Sequence, residues 1–383
     1  MRSPSSSPWM TDAPSSLQRA AARNLVTKYL KVRPGESVVV ESWSHTLSMA
    51  TSMVDEVRRA GGRAFLAYEN DESWWGAVDR GQAGLVGSLS EPEWAALGAA
   101  DAYVQFWGPS DSARLARLPE KKMDDWATGW FDRWYKTAKS TGLRGGRMAT
   151  GWVTDTRARK WGVNKDLWLE GILRACLADP KVIAGNGKRL ARALRGGEKV
   201  RITHPNGTDL EVALAAAPAR VFDGYPHPRN TGYGPYDLMA NFPEGRLRVA
   251  LDSKTAEGRF VASAPAYEEV WFPWERFLGG SFEFSAGKLT AFSFEQGGPE
   301  FSKLYAHGTP GKDRTGSLRI GLHPTVHDVP YLEELERGCV QLSVGGNSYV
   351  GGKNPSNFCG RLTLTGAEIS VDGTTVVRGG KIF

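Results

Sequence analysis

Three cysteines, Cys176, Cys339 and Cys359, are all that the 383 residues contain. They are too few and too scattered for a disulfide framework. No apolar run approaches the roughly 20 residues that a bilayer-spanning helix needs, so no membrane partner is expected. No internal repeat is apparent. No charge of one sign dominates either: 48 Lys and Arg stand against 42 Asp and Glu, a net +6. The basic residues are spread along the chain and form no stripe, so the excess reads as ordinary surface charge and no nucleic-acid partner is expected. The opening MRSPSSSPWMTDAPSS is rich in Ser and Pro and lacks an apolar h-region. Residues 1–16 are expected to be a disordered leader, not a signal peptide, with Met10 as an alternative start. These absences together lead to the expectation of a cytoplasmic protein.

What is present is ordinary globular composition, 41% apolar and 23% charged, in a chain long enough for two domains. The first half alternates two periods. Leu17, Ala21, Leu25 and Tyr29 recur at helical spacing, and Pro34-Gly35 ends that run. Ser37 to Glu41 (SVVVE) is a β-branched strand. Leu47, Ala50, Met53, Val54 and Val57 mark a second helix, ended by Gly61-Gly62. Ala64 to Tyr68 is the next strand, Glu91 to Ala99 a helix, and Ala102 to Trp107 a third strand. Such alternation predicts parallel strands covered by helices.

From about Pro119 to Leu194 the pattern is mostly helical and rich in tryptophan: Trp126, Trp130, Trp134, Trp152, Trp161 and Trp168. Basic residues interleave with these rings, which suits a stacking surface for a nucleic acid or a planar ligand. Trp126, Trp130 and Trp134 also share one helical face, and a stripe of that kind is more often core or dimer interface.

After about Gly196 the period becomes two. Val200 to Thr203, Leu210 to Leu214, Leu247 to Leu251 and Phe260 to Ser263 alternate like half-buried strands. Phe282, Phe284, Leu289, Ala291 and Phe294 form two strands around Ala286-Gly287. Asp372-Gly373 lies between two short β-branched runs and predicts a hairpin. The expected architecture is an α/β domain over residues 17–195, a parallel sheet covered by helices, followed by a mainly antiparallel β-rich domain over 196–383.

Five segments, taken in order, resemble the thermophilic-metalloprotease aminopeptidases, the aminopeptidase T group of leucyl aminopeptidases. AARNLVTKYLKVRPGESVVV is similar to that family's opening helix and first strand. VRITHPNGTDLEVAL is similar to its strand with a Gly-Thr-Asp-Leu turn, and ANFPEGR to its Asn-x-Pro-x-Gly-Glu segment. Gly316 to Arg361 resembles its C-terminal site region, and DGTTVVRGGKI its closing hairpin. The resemblance implies a two-domain homodimer with an enclosed cavity in the β-rich domain. It also implies two metal ions that activate water and polarise a scissile carbonyl, with a small-molecule or peptide ligand.

The residues that would hold those ions are replaced here. On the family's pattern its Glu after Asn-x-Pro-x-Gly becomes Arg246. A second carboxylate falls on Ser317, a histidine on Gln341, and a C-terminal His-x-Asp pair on Cys359 and Arg361. Its tyrosine is kept as Tyr349. Related dioxygenases of this fold use one non-haem iron and depend on the same His-x-Asp pair, so the substitutions argue against that chemistry too. A guanidinium does not deprotonate and repels a divalent cation. The expectation is therefore a cavity without a metal cofactor, zinc on Cys359 being the alternative. Arg246 and Arg361 suit a carboxylate or phosphate, and Gln341 and Ser317 supply hydrogen bonds. The competing reading pairs the arginines with Glu333 or Glu334 as structure.

Tyr349 and Cys359 are the candidate catalytic residues, the thiol being lowered if cations neighbour it. A buried, inert thiol is the reading favoured over that one. His323 and His327, with Asp328, would make a metal pair only on a helix, and Pro324 points to a loop. His204 and His227, beside prolines, read as surface turns. Three functions stay open: an enzyme of altered chemistry acting on a small anionic or amino-acid-like compound, an inactive binding homologue, and a working metal-dependent leucyl aminopeptidase with displaced ligands.

Overall fold

The computed structural model describes residues 13–81, 89–119, 131–226, 239–267 and 274–383. Most of the expected leader, Trp126, Trp130 and His227 lie outside them. The first helix, Ser16–Asn24, starts where Ser15 and Gln18 form a reciprocal capping box, and continues through Leu25–Tyr29 as a wider turn. Its apolar stripe (Ala21, Leu25, Val26, Tyr29) is buried in one cluster with Met49, Ala50, Met53 and Val57 of the Leu47–Arg59 helix.

That cluster covers one face of a five-stranded sheet. Its spatial order is Arg63–Glu69, Ser37–Trp43, Ala102–Phe106, Arg144–Met148 and Met239–Phe242, and every pairing is parallel. Two of these strands depart from expectation. Arg144–Met148 (RGGRM) lies in the stretch expected to be helical. Its glycines are poor strand formers, yet the fold requires them there. A Cβ on Gly146 would meet the Phe242 ring at 2.1 Å, and one on Gly145 would meet Met239 at 2.9 Å. Close approach of the next strand overrides propensity at this point. Met239–Phe242 comes from beyond residue 196, so the chain returns to its first sheet before completing the second half.

The β-rich half contains an eight-stranded sheet in the spatial order Lys288–Ser293, Ser281–Ser285, Glu257–Val261, Thr208–Ala213, Lys199–His204, Glu368–Val371, Thr374–Arg378, Lys381–Ile382. A second, five-stranded sheet runs Cys359–Leu364, Val340–Gly345, Thr315–Gly321, Arg246–Ala250, Arg220–Phe222. All their pairings are antiparallel. The Asp372-Gly373 hairpin forms as expected, both residues taking the positive φ that a two-residue turn favours (48° and 83°). One core fills the space between the sheets, with Val200, Ile202, Leu210, Phe260 and Phe282 from the larger sheet and Leu247, Val249, Leu318, Ile320, Val340 and Leu342 from the smaller. The opposite, polar face of the smaller sheet is therefore turned away from this core.

Trp134, Trp161 and Trp168 are buried, as core rings would be. Among the described residues no helix is long and apolar enough to cross a membrane.

Gly321 ends the Thr315–Gly321 strand against the segment that carries Glu333 and Glu334. A Cβ there would lie 1.9 Å from the Glu336 carbonyl oxygen, a backbone atom that cannot swing aside. Gly321→Ala is expected to lower stability by about 1–3 kcal/mol, read as a lower urea midpoint at unchanged slope.

Candidate functional site

The polar face of the five-stranded antiparallel sheet forms one side of a cavity of about 560 Å³. Alternation fixes which residues reach it. In RLRVA, Leu247 and Val249 point to the core, so Arg246 and Arg248 point to the cavity. In SLRIG, Leu318 and Ile320 point inward and Arg319 outward. Register then aligns a row across the strands: Arg248 opposite Arg319, Arg319 opposite Gln341, Gln341 opposite Thr363. Arg361 and Cys359 lie on the same face of the last strand. Four guanidiniums, from Arg246, Arg248, Arg319 and Arg361, thus share one floor.

The other side comes from the carboxyl ends of the parallel strands and from loops. Trp107 follows one strand, Arg147 and Ala149 mark the end of the next, and Asn241 to Glu244 close the last. A crevice beyond the carboxyl ends of a parallel sheet is a common place for a ligand. Trp107 and Trp152 are stacked with ring centroids 4.7 Å apart. Trp152 meets Tyr331 at 5.7 Å and Tyr331 meets Tyr267 at 5.3 Å. These four rings all line the cavity.

Charge is distributed unevenly among the floor residues. Glu334 takes Arg246 on one oxygen and Arg319 Nη1 (2.8 Å) on the other. Burial alone would raise its carboxyl, but Arg246, Arg319 and Arg248 outweigh that and hold it at about 2. Glu244 accepts from Arg246 Nη2 at 3.1 Å and from Asn241 Nδ2 at 3.0 Å. Glu333 behaves differently: burial pushes it up to about 8, against the hydroxyl of Tyr267 that donates to it at 2.7 Å. At neutral pH it is a protonated acid beside aromatic rings.

Of the residues singled out from sequence, Arg246, Gln341, Tyr349, Cys359 and Arg361 all line the cavity. Ser317 is buried beneath it, its hydroxyl 2.9 Å from Ser343 and 3.1 Å from the Tyr349 hydroxyl. Gln341 accepts from Arg319 and donates to Thr363, each at 3.1 Å. Arg246 is engaged by Glu334 and Glu244, which is the structural pairing foreseen for it, although Glu333 takes no part. At Cys359 the surroundings favour the inert thiol. Burial raises it, outweighing Arg319 and the Tyr349 hydroxyl 3.9 Å away, so the neutral, poorly nucleophilic form prevails. Burial likewise raises Tyr349, followed by the effect of Cys359.

His323 and His327 lie on a loop, as Pro324 suggested. His323 is buried, and burial pulls it down to about 4. His327 is exposed, with Nδ1 3.2 Å from Glu336. No group of three or more His, Cys, Asp or Glu among the described residues could hold a metal ion. Sequence reading missed Arg248, Arg319 and, apart from Trp152, the aromatic wall. The signal for the first two was present, since the same alternation that exposes Arg246 and Ser317 exposes the residues two places on.

No protein-family model matches the chain, and no curated protein does. Among solved structures, wild-type AmpT from Thermus thermophilus is similar over 96% of this chain and 98% of its own, at 17% identity and a TM-score of 0.66. The 2,5-dihydroxypyridine dioxygenase from Pseudomonas putida KT2440 is similar over 97% and 98%, at 16% identity and a TM-score of 0.57. At such identities the likeness is one of fold: a parallel α/β sheet domain joined to antiparallel sheets, in the two-domain arrangement of aminopeptidase T.

Proposed function

We propose that this aminopeptidase T-like chain holds a small anionic or amino-acid-like compound in a cavity that works without a pair of metal ions. The observation that carries the reading is the floor of four guanidiniums on the polar sheet face. A two-metal hydrolase needs carboxylates and imidazoles converging on the ions. The positions that would supply them hold Arg246, Ser317, Gln341, Cys359 and Arg361. The carboxylates that remain are occupied: Glu334 by two arginines, Glu244 by Arg246 and Asn241, Glu333 by its own proton and Tyr267. A divalent ion about 4 Å from one guanidinium would be opposed by several kcal/mol even at an effective dielectric near 20. This donor set does not fit the pair.

Arginine in such a place binds a carboxylate or phosphate through two parallel hydrogen bonds. Tyr349, anchored on Ser317, and Gln341, anchored on Arg319 and Thr363, are the hydrogen-bonding residues beside it. The homodimer implied by the resemblance belongs to the same reading, as does a binding role, with or without turnover.

The test is metal content together with peptidase activity. Purified protein is expected to carry no stoichiometric divalent ion after dialysis, and to leave a leucyl reporter peptide uncleaved when zinc, cobalt or manganese is added. Two tightly bound ions per chain, with cleavage abolished by a chelator, would restore the working aminopeptidase.

A further inference from the structure

Arg248 differs from its neighbours. Every cavity carboxylate among the described residues is committed elsewhere, Glu334 to Arg246 and Arg319, Glu244 to Arg246, Glu333 to Tyr267. None of them pairs with Arg248. Its Nε is closed off from solvent and finds no acceptor, as is true of the Nε atoms of Arg246, Arg319 and Arg361. Its guanidinium lies over the Phe222 ring at 4.4 Å, which holds the fork in place without supplying an anion. A half-buried cation of this kind costs free energy unless something negative completes it. Burial and the adjacent Arg246 and Arg319 charges pull it down to about 9, so an incoming anion would relieve a real penalty.

The opposite side of the same space carries four aromatic rings, with Arg147 and Asn241 beside them. Trp107, Trp152, Tyr331 and Tyr267 touch one another in sequence, and the acid among them, Glu333, is neutral. The cavity thus holds, in one space, a guanidinium with no ion pair among the described residues and a group of aromatic rings. Its volume, about 560 Å³, suits a single ring system bearing a charged group.

We propose that the compound is an aromatic carboxylate, with its carboxylate on Arg248 and its ring against the wall of Trp107, Trp152 and Tyr331. This rests on the anion reading above and narrows it. Two parallel N–H···O bonds orient the carboxylate, and offset stacking selects a planar ring over a puckered one of equal size.

Calorimetric titration of the full chain tests it with three probes of similar shape: benzoate, cyclohexanecarboxylate and benzamide. Benzoate is expected to bind. Cyclohexanecarboxylate, with the same charge but no π-face, is expected to bind about tenfold more weakly, and benzamide not at all. Arg248→Gln is expected to weaken benzoate roughly 30-fold or more, with circular dichroism and the melting temperature reporting that the variant is folded. The comparison among probes uses only the unaltered protein, so it stands even if the variant does not fold. Equal affinity for benzoate and cyclohexanecarboxylate overturns the aromatic assignment and leaves the anion reading intact. Unchanged benzoate affinity in a folded Arg248→Gln overturns the assignment of Arg248. Failure of every carboxylate to bind at millimolar concentration overturns the anion reading as well.

Discussion

Glu334→Gln is expected to destabilise the protein by about 3–5 kcal/mol at neutral pH. The carboxylate, its side chain 14% exposed, bridges two buried arginines, one oxygen to each. Removing its charge takes an ion pair from each arginine, leaving Arg246 beside Glu244 and Arg319 beside the neutral Gln341 carbonyl oxygen. Loss of one member of a buried ionic group costs far more than the whole group contributes, because the remaining charges stay desolvated. A cycle shows whether this is the mechanism. The same substitution in an Arg246→Met, Arg319→Met background is expected to cost under about 1 kcal/mol. An equal loss in both backgrounds, measured by urea unfolding, would mean that the three residues are not coupled.

The sign of the pH effect follows from the same residue. Its folded value, about 2, is below the ordinary 4.5. The stabilisation it confers is therefore complete above about 4.5 and is lost as pH falls towards 2.

The second large effect runs the other way. Glu333 is held up at about 8, above its ordinary 4.5. Between those values the folded protein keeps a proton that the unfolded chain releases. Stability from this group therefore falls as pH rises through that window, by up to about 5 kcal/mol. Glu41 contributes in the same direction, pushed up to about 7 by burial against the Tyr103 hydroxyl that donates to it. The wild-type slope consequently contains both residues, and the difference from Glu333→Gln isolates one. That variant is expected to unfold at nearly the same urea concentration as wild type at pH about 5, and at a distinctly higher one at pH about 8. Parallel stability curves for the two proteins would show that Glu333 ionises normally.

Much of this site could be read before any coordinates, because strand alternation is a local signal. Leu247 and Val249 point one way, so Arg246 and Arg248 must point the other, and the same logic places Arg319 beside Ser317. The resemblance drew attention to positions 246, 317, 341, 359 and 361, and the fold brings all five to one sheet face or just beneath it. Its partners were less legible. Glu334 lies 88 residues from Arg246, and nothing in its own stretch says that it, and not Glu333, reaches back to that arginine. Their opposite ionisation arises from one step along the chain, which turns one carboxyl to the arginine floor and the other to Tyr267.

The strand Arg144–Met148 was hidden for a different reason. Its glycines answer to Phe242 and Met239, almost a hundred residues away, and local propensity has no access to such a constraint. At Cys359 both the neighbouring arginines and a buried, neutral thiol were anticipated, and burial outweighs the cations. The tryptophans divided between roles. Trp134, Trp161 and Trp168 are core, whereas Trp107 and Trp152 stack at the cavity wall, where a planar ligand would meet them.

Crystals grown with both bromobenzoate and manganese would test the central claim most directly, since anomalous scattering locates each element separately. The account predicts a bromine signal inside the cavity, a carboxylate within hydrogen-bond reach of Arg248, and no manganese on the arginine floor. A pair of manganese peaks bridged by Glu244, Glu333 and Glu334, with the bromine absent, would contradict it.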